Sequence, residues 1–487
     1  MRKTLLPSSA ALSLALLSIA LPLPASEPVE PPTPSPAERA AIAVVEARAD
    51  ELIALSDEIW AFEETAFEET ESAAALAEMA ETNGFRVDRG VAEIPTAFVA
   101  EFGEGRPIVG ILGEFDALPG LSQKPVSHTE PANPGGAGHG CGHNVFGVAS
   151  LGAAIAVKEL IETGELEGTV RFYGTPAEER FFGKLWMIRE GLFDDLDVIV
   201  DWHPGDETKA NVQSSLALVD FVAEFEGQAA HGAADPWNGR SAGDALELYT
   251  TGINYYREHV EPTVRMHYHI QDAGKVVNVV PDYARIFVRV RDTDREGMQK
   301  VWKRVEEMAE GAAILADVTS EVRLVSGVHE LVPNRAAGAR VQENLEYLGA
   351  IEYTDEEQAF AREIQEATGK EPTGMTWTIE PLEETQEHPG GGSTDAGDVS
   401  FVVPMARLSV AIAPEDTPWH SWAVVAYAGM SIGHKGLVYA AKALAMTMVD
   451  LFEDAELREA MKAEHAERVG DYDYEPIIPP GPPPLGE

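Results

Sequence analysis

Gly135-Gly136-Ala137-Gly138-His139-Gly140-Cys141-Gly142-His143-Asn144 carries the only cysteine of a 487-residue chain. Its glycines permit positive φ and tight turning, while His139, Cys141 and His143 recur at every second position as potential cation donors. Residues 144–159 are rich in Ala, Val, Leu and Ile, which predicts a buried helix with Asn144 near its start. A thiol at a helix N-terminus is expected to have a lowered pKa and so to present thiolate to a cation. A lone cysteine in a glycine turn also suits a small buried hydrophobe, so the metal reading depends on partners elsewhere in the chain.

Toward the N-terminus, apolar residues at helical spacing predict a long helix over 38–62 and a second over 69–83. Strands are predicted over 85–87, 97–102 and 108–112. The last runs into Gly113-Glu114-Phe115-Asp116-Ala117-Leu118-Pro119-Gly120. Acidic residues just past a buried strand lie where open α/β sheets put their sites, so Asp116 is a candidate to touch a metal or orient a ligand histidine. The alternative is a turn-forming aspartate.

Toward the C-terminus, a strand over 168–173 ends in Gly174-Thr175-Pro176-Ala177-Glu178-Glu179. Successive side chains on extended backbone point in opposite directions, so one of these glutamates is free to ligate while the other moves protons. A strand over 197–202 delivers His203 at its end. Residues 216–325 then read as strand, helix, two strands, helix and strand, a βαββαβ order that suits a small antiparallel sheet with helices on one face. This stretch contains His231, Asn278 and Arg291. The α/β pattern resumes with a helix over 355–368, and Gly390-Gly391-Gly392-Ser393-Thr394-Asp395-Ala396-Gly397-Asp398-Val399-Ser400 reads as a solvent loop. A strand over 408–412 leads to His420 between bulky aromatics, and a helix over 435–452 closes the pattern.

Cys141, His143, Glu179, His203 and His420 make five donors, too many for one closed tetrahedral site and suited to two metals. Cysteine and imidazole favour zinc, and the carboxylate leaves manganese open. The implied reaction is hydrolysis by a water shared between two cations, with the unligated Glu178 as general base and then acid.

Residues 1–26 have the charged start, apolar run and small-residue end of a secretory signal, too short to span a bilayer permanently. Export to a periplasmic or extracellular location is expected, with no membrane association after signal removal. Residues 27–37 and 474–487 are proline-rich, expected to be an unfolded spacer and tail. A net charge of −46, from 82 acidic against 36 basic residues, disfavours nucleic acid and anionic lipid.

Residues 113–120, 138–144, 176–179, 278–281, 393–400 and 420–422 together resemble the aminoacylase-type metallopeptidases, in the amidohydrolase branch of the p-aminobenzoyl-glutamate hydrolases. The resemblance covers nearly all of the chain after the spacer. It implies that Cys141, His143, Glu179, His203 and His420 ligate two divalent metals with Cys141 as bridge, and that Glu178 is the catalytic carboxylate. It further implies that His231 reaches the site of a second copy and steadies the oxyanion, that Asn278 and Arg291 bind the substrate near its carboxylate, and that the chain is a homodimer. Ala423 stands where relatives often carry Gln.

The expected architecture is α/β: a catalytic domain with a mixed sheet flanked by helices, in two parts (38–215 and 333–473), plus an inserted α+β lid and dimerisation domain (216–332). The expected activity is metal-dependent hydrolysis of an N-acyl or N-aroyl amino acid carrying a free carboxylate. A dipeptidase or carboxypeptidase is the alternative within enzymes, and a non-catalytic metal-binding scaffold the alternative outside them.

Overall fold

The computed structural model describes residues 33–386 and 390–486. The signal segment read at 1–26 and most of the spacer lie outside the described residues. The first described element, α1 (Pro36–Ala47), begins inside the expected spacer: Ser35 caps it, with Pro36 at the first helical position and Glu38 completing a capping box. Proline is tolerated there because the first turn has no use for its missing N–H. The long helix expected next is broken at Arg48, where φ is −105°, and resumes as α2 (Ala49–Phe62).

The chain continues through α3 (Thr70–Thr82), β1 (Arg86–Arg89), β2 (Phe98–Glu104), β3 (Ile108–Gly113), α4 (His143–Thr163), β4 (Gly168–Gly174), α5 (Lys184–Arg189), β5 (Val198–Gly205) and β6 (Lys209–Ala210). A separate unit follows, of β7 (Ala217–Glu226), α6 (Ala242–Tyr256), β8 (Arg265–Asp272), β9 (Tyr283–Asp292), α7 (Arg295–Ala316) and β10 (Thr319–Val328). The remainder is α8 (Arg335–Leu348), α9 (Asp355–Ala367), α10 (Ala396–Val402), β11 (Met405–Ala411), α11 (Trp422–Ala428), α12 (Ser431–Glu453) and α13 (Ala455–Val469).

The larger sheet is mixed, in the order β1-β2-β4-β3-β5-β11-β6, with β4, β3, β5 and β11 parallel at its centre. Parallel strands are covered on both faces, and alternation along them divides the burial. Ile111, Phe172, Val200 and Leu408 pack under α4 and α12, whereas Leu112, Tyr173, Ile199 and Met405 pack against Trp186 and Val399 on the other side. Helix α4 is long and apolar enough to cross a bilayer, yet it is almost wholly buried in this core. The smaller sheet, β10-β7-β9-β8, is antiparallel throughout. The odd-numbered residues of β7, Ala217 to Phe225, bury against α6 and α7.

Two loop expectations are corrected. The glycine-rich stretch read as a solvent loop becomes buried α10 from Ala396, because Asp395, at its start, is tied to Lys184. The proline-rich tail is docked. Tyr474 donates to Asp398 at 2.9 Å, Gly327 N–H to the Ile477 carbonyl at 2.7 Å, and Arg189 to the Gly481 carbonyl at 2.7 Å. Proline lacks a donor but keeps its carbonyl, so such a tail can still be held through its neighbours' polar groups.

Candidate metal centre

The ends of the central parallel strands converge on one cleft, the position that open α/β sheets reserve for ligands. Strand β3 ends at Gly113 and delivers Glu114 and Asp116; β4 delivers Glu178 and Glu179; His203 lies near the end of β5. His420 comes from the loop after β11, where its N–H donates to the Gly140 carbonyl at 3.0 Å and ties the late loop to the cysteine turn. Gly142 caps α4 with φ of +79°, a conformation that favours glycine, and a Cβ there would also crowd Ile412 Cδ1 at 2.8 Å.

Three donor groups form among the described residues, one of them made of Glu114, His143 and Glu178 and the other two sharing a residue. One atom each of Cys141, His143 and His203 lie within 4.8 Å of one another, as do one atom each of Cys141, Glu179 and His420. Cys141 belongs to both. Its Sγ is 3.5 Å from His203 Nε2, and His420 Nε2 is 3.3 Å from Glu179 Oε1. Among the described residues His143 Nε2 and Glu179 Oε1 are buried without a hydrogen-bond partner, which a structure tolerates poorly unless something else satisfies them. Orphaned donors around a shared sulfur fit a pair of divalent cations of the borderline-soft kind.

Surrounding groups set the donor tautomers. His143 Nδ1 lies 2.9 Å from Asp116 Oδ1 and His203 Nδ1 lies 2.6 Å from the Pro204 carbonyl, and each acceptor fixes the proton on Nδ1 and leaves Nε2 to the cluster. Burial pulls the His203 pKa down to about 4, favouring the neutral, ligating form. The expected lowering of the thiol pKa is corrected. Burial and the neighbouring Glu179 push the Cys141 thiol up, and this outweighs the helix start. A cation arriving there must displace the proton.

Glu178 is buried, and burial with the charges of Glu114 and Glu179 holds its pKa well above the usual carboxylate range. Burial likewise raises Glu179, to about 7. Beneath them lies an ion triad that the motif reading did not assign: fully buried Lys184 donates to Glu114 Oε1 at 2.7 Å and to Asp395 Oδ1 at 2.6 Å. Glu114 Oε2 turns to within 3.2 Å of His143 Nε2. The only signal for Lys184 in sequence is a lysine entering the apolar run Leu185-Trp186-Met187-Ile188.

A cavity of about 500 Å³ opens over the donors and reaches the smaller sheet. Val288 and Val290 face the helices of that sheet, so Arg289 and Arg291 project from the opposite face into the cavity. Arg289 is neutralised by Asp220, at 2.7 and 2.5 Å. Arg291 Nε is buried without a partner among the described residues, and burial and the neighbouring Arg289 lower its pKa.

Three sequence candidates stand apart from the donor groups. His139 turns away, with Nε2 3.1 Å from the Ile59 carbonyl. His231 and Asn278 lie together on exposed loops of the smaller unit, where the Asn278 carbonyl accepts from Gly232 N–H at 2.8 Å and His231 Nδ1 accepts from Ala233 N–H at 3.1 Å.

Peptidase family M20/M25/M40 matches residues 110–397. The chain is 39% identical over 454 residues to a p-aminobenzoyl-glutamate hydrolase polypeptide of Escherichia coli (strain K12), covering 87% of this chain and 94% of that protein. It is 30% identical over 444 residues to the Xaa-Arg dipeptidase of Homo sapiens, covering 86% and 90%. Among solved structures, a dinuclear metal binding peptidase of the M20 family from Bacillus subtilis is similar in fold. Its TM-score is 0.56 at 19% identity, over 84% of this chain and 99% of that one.

Proposed function

The chain belongs to peptidase family M20/M25/M40, and from that premise we propose that it hydrolyses the amide bond of an N-acyl or N-aroyl amino acid, such as an aroyl-glutamate. The observation that carries this reading is Cys141, common to two donor groups, with the buried carboxyl of Glu178 in a third group that shares His143. The residues to hold two divalent cations, zinc or manganese, are Cys141, His143, Glu179, His203 and His420. Such cations, when bound, supply a water of lowered pKa and polarise the scissile carbonyl.

The remaining work falls to the chain itself. Glu178 takes the proton of the attacking water and returns it to the departing amine, a task suited to a carboxyl whose pKa burial and neighbouring acids hold above the usual carboxylate range. Arg291, at the cavity wall and with its Nε unpaired among the described residues, binds the free carboxylate of the substrate by directional hydrogen bonds. Asp116 orients His143. His231 and Asn278 lie outside their own chain's cavity beside exposed Val276 and Val277, which supports a homodimer in which they serve the second copy's site. Export is part of the same proposal and rests on residues 1–26.

A dipeptidase is the second reading. It is supported by the likeness to the Xaa-Arg dipeptidase and by Asp206, an acid at the cavity wall able to face a cationic substrate group. Incubating the protein with a mixed library of acyl-amino acids and dipeptides, followed by product identification by mass spectrometry, separates the two. Glu178→Ala is expected to abolish turnover of whichever class is cleaved, and turnover persisting in that variant would end the proposal.

A further inference from the structure

Glu178 is held by its neighbours' backbone, and the anchor on one side is a residue remote in sequence. Ala177 adopts φ of +61°, a conformation that L-residues with a Cβ rarely take. Its N–H donates to Glu69 Oε1 at 2.9 Å, and its carbonyl accepts from Phe182 N–H at 2.9 Å. The other oxygen of Glu69 accepts from the Thr96 hydroxyl at 3.2 Å. On the far side of Glu178, Glu179 N–H donates to Asp116 Oδ2 at 2.9 Å. The two amides that bracket Glu178 are therefore each gripped by a buried carboxyl.

Glu69 is fully buried, and the foremost charge bearing on it is Asp116, another acid. A buried acid facing an acid is a poor device for stability, and here its hydrogen bonds go to the Thr96 hydroxyl, to the backbone of its own turn at Phe67 and Glu69, and to the strained amide next to Glu178. Without that acceptor, Ala177 is free to relax to negative φ, which swings the following side chain.

We propose that Glu69 is a positioning residue for Glu178, acting through the Ala177 amide to hold the left-handed turn that aims the carboxyl. This rests on Glu178 being the proton-transfer group. Glu69→Ala is expected to lower kcat by ~10- to 100-fold, as expected for a misplacement of about 1 Å, with KM and metal content within about twofold of the parent. Glu69→Gln keeps an acceptor oxygen of the same reach and is expected to restore kcat to within about threefold. Thr96→Val, which removes only the second anchor, is expected to lower kcat by about threefold without changing KM, and serves if Glu69→Ala does not fold.

Parental kcat in Glu69→Ala, or in Thr96→Val where that variant stands in, overturns the proposal. So does a loss in Glu69→Ala that Glu69→Gln does not rescue and that metal content follows. Glu178→Ala is assayed alongside: if it still turns over, the reading of Glu178 has failed, and if it is inactive while Glu69→Ala matches the parent, only the positioning role has failed.

Discussion

Asp116 Oδ1 lies 2.9 Å from His143 Nδ1, and both groups are completely buried. The pairing leaves His143 Nε2 as the only free nitrogen of that ring, and Asp116 reaches Glu179 N–H with its second oxygen. One carboxylate thus orients a donor from α4 and a donor from the loop after β4. Asp116→Asn is expected to weaken metal affinity by ~10- to 100-fold, measured by competition with a chromogenic chelator, because the amide presents one donor and one acceptor where two acceptors are needed. Unchanged affinity would show that the ring orientation is set elsewhere.

Cys141→Ser tests the sharing of one donor by two groups. Serine keeps the geometry but not the thiolate, so dialysed protein should retain less metal than the parent by mass spectrometry. Full retention would reject Cys141 as the common ligand. Prolonged treatment of the parent with a strong chelator should abolish activity, restored on adding back zinc or manganese.

Lys184 separates two buried acids. Lys184→Met removes the cation and leaves Glu114 and Asp395 facing each other, a change that should cost about 3 to 5 kcal/mol, read as a lowered melting temperature. Adding Glu114→Gln and Asp395→Asn to that variant should recover much of the loss. A melting temperature unmoved by Lys184→Met would show that the triad carries no such weight.

Arg291→Ala should raise KM by roughly 10- to 100-fold for a substrate with a free carboxylate, with a smaller effect on kcat, since the lost contact is made in ground and transition states alike. The same variant should leave KM for the corresponding amide or ester nearly unchanged. Equal effects on both substrates would remove Arg291 from carboxylate recognition.

Asp450 offers a pH test away from the cleft. Burial raises its pKa to about 6, although Asn344 and Arg340 bond to it. A carboxyl with a folded-state pKa above its unfolded value of about 3.8 contributes stability below that value and loses it as pH rises through about 6. The stability of Asp450→Asn relative to the parent should therefore increase between about pH 4 and pH 6, by roughly 1 to 3 kcal/mol. A constant gap between the two curves would show that Asp450 titrates alike in both states.

The central strands and α4 were legible because the signals that mark them are local. Alternation, apolar runs and glycine punctuation act over a few residues, and burial of both sheet faces follows from them. The strand-end location of Asp116, Glu178, Glu179 and His203 was readable for the same reason. Helix α10 was not, because Gly390 to Gly392 signals a loop and the contact that buries the segment comes from Lys184, remote in sequence. The tail after Tyr474 misled in the same way: its prolines argue against regular structure, and nothing local announces that Tyr474 will meet Asp398.

What the residues determined unaided was which chemistry is available: soft and nitrogen donors, a spare glutamate, and an arginine in an acidic chain. Tertiary structure alone decided which donors meet. It gave Cys141 to two groups, sent His139 to the Ile59 carbonyl, and reversed the sign of the thiol's pKa shift, because burial and a nearby Glu179 act through space. Proximity across the fold is the sum of all the packing at once, and no short stretch of chain contains that sum.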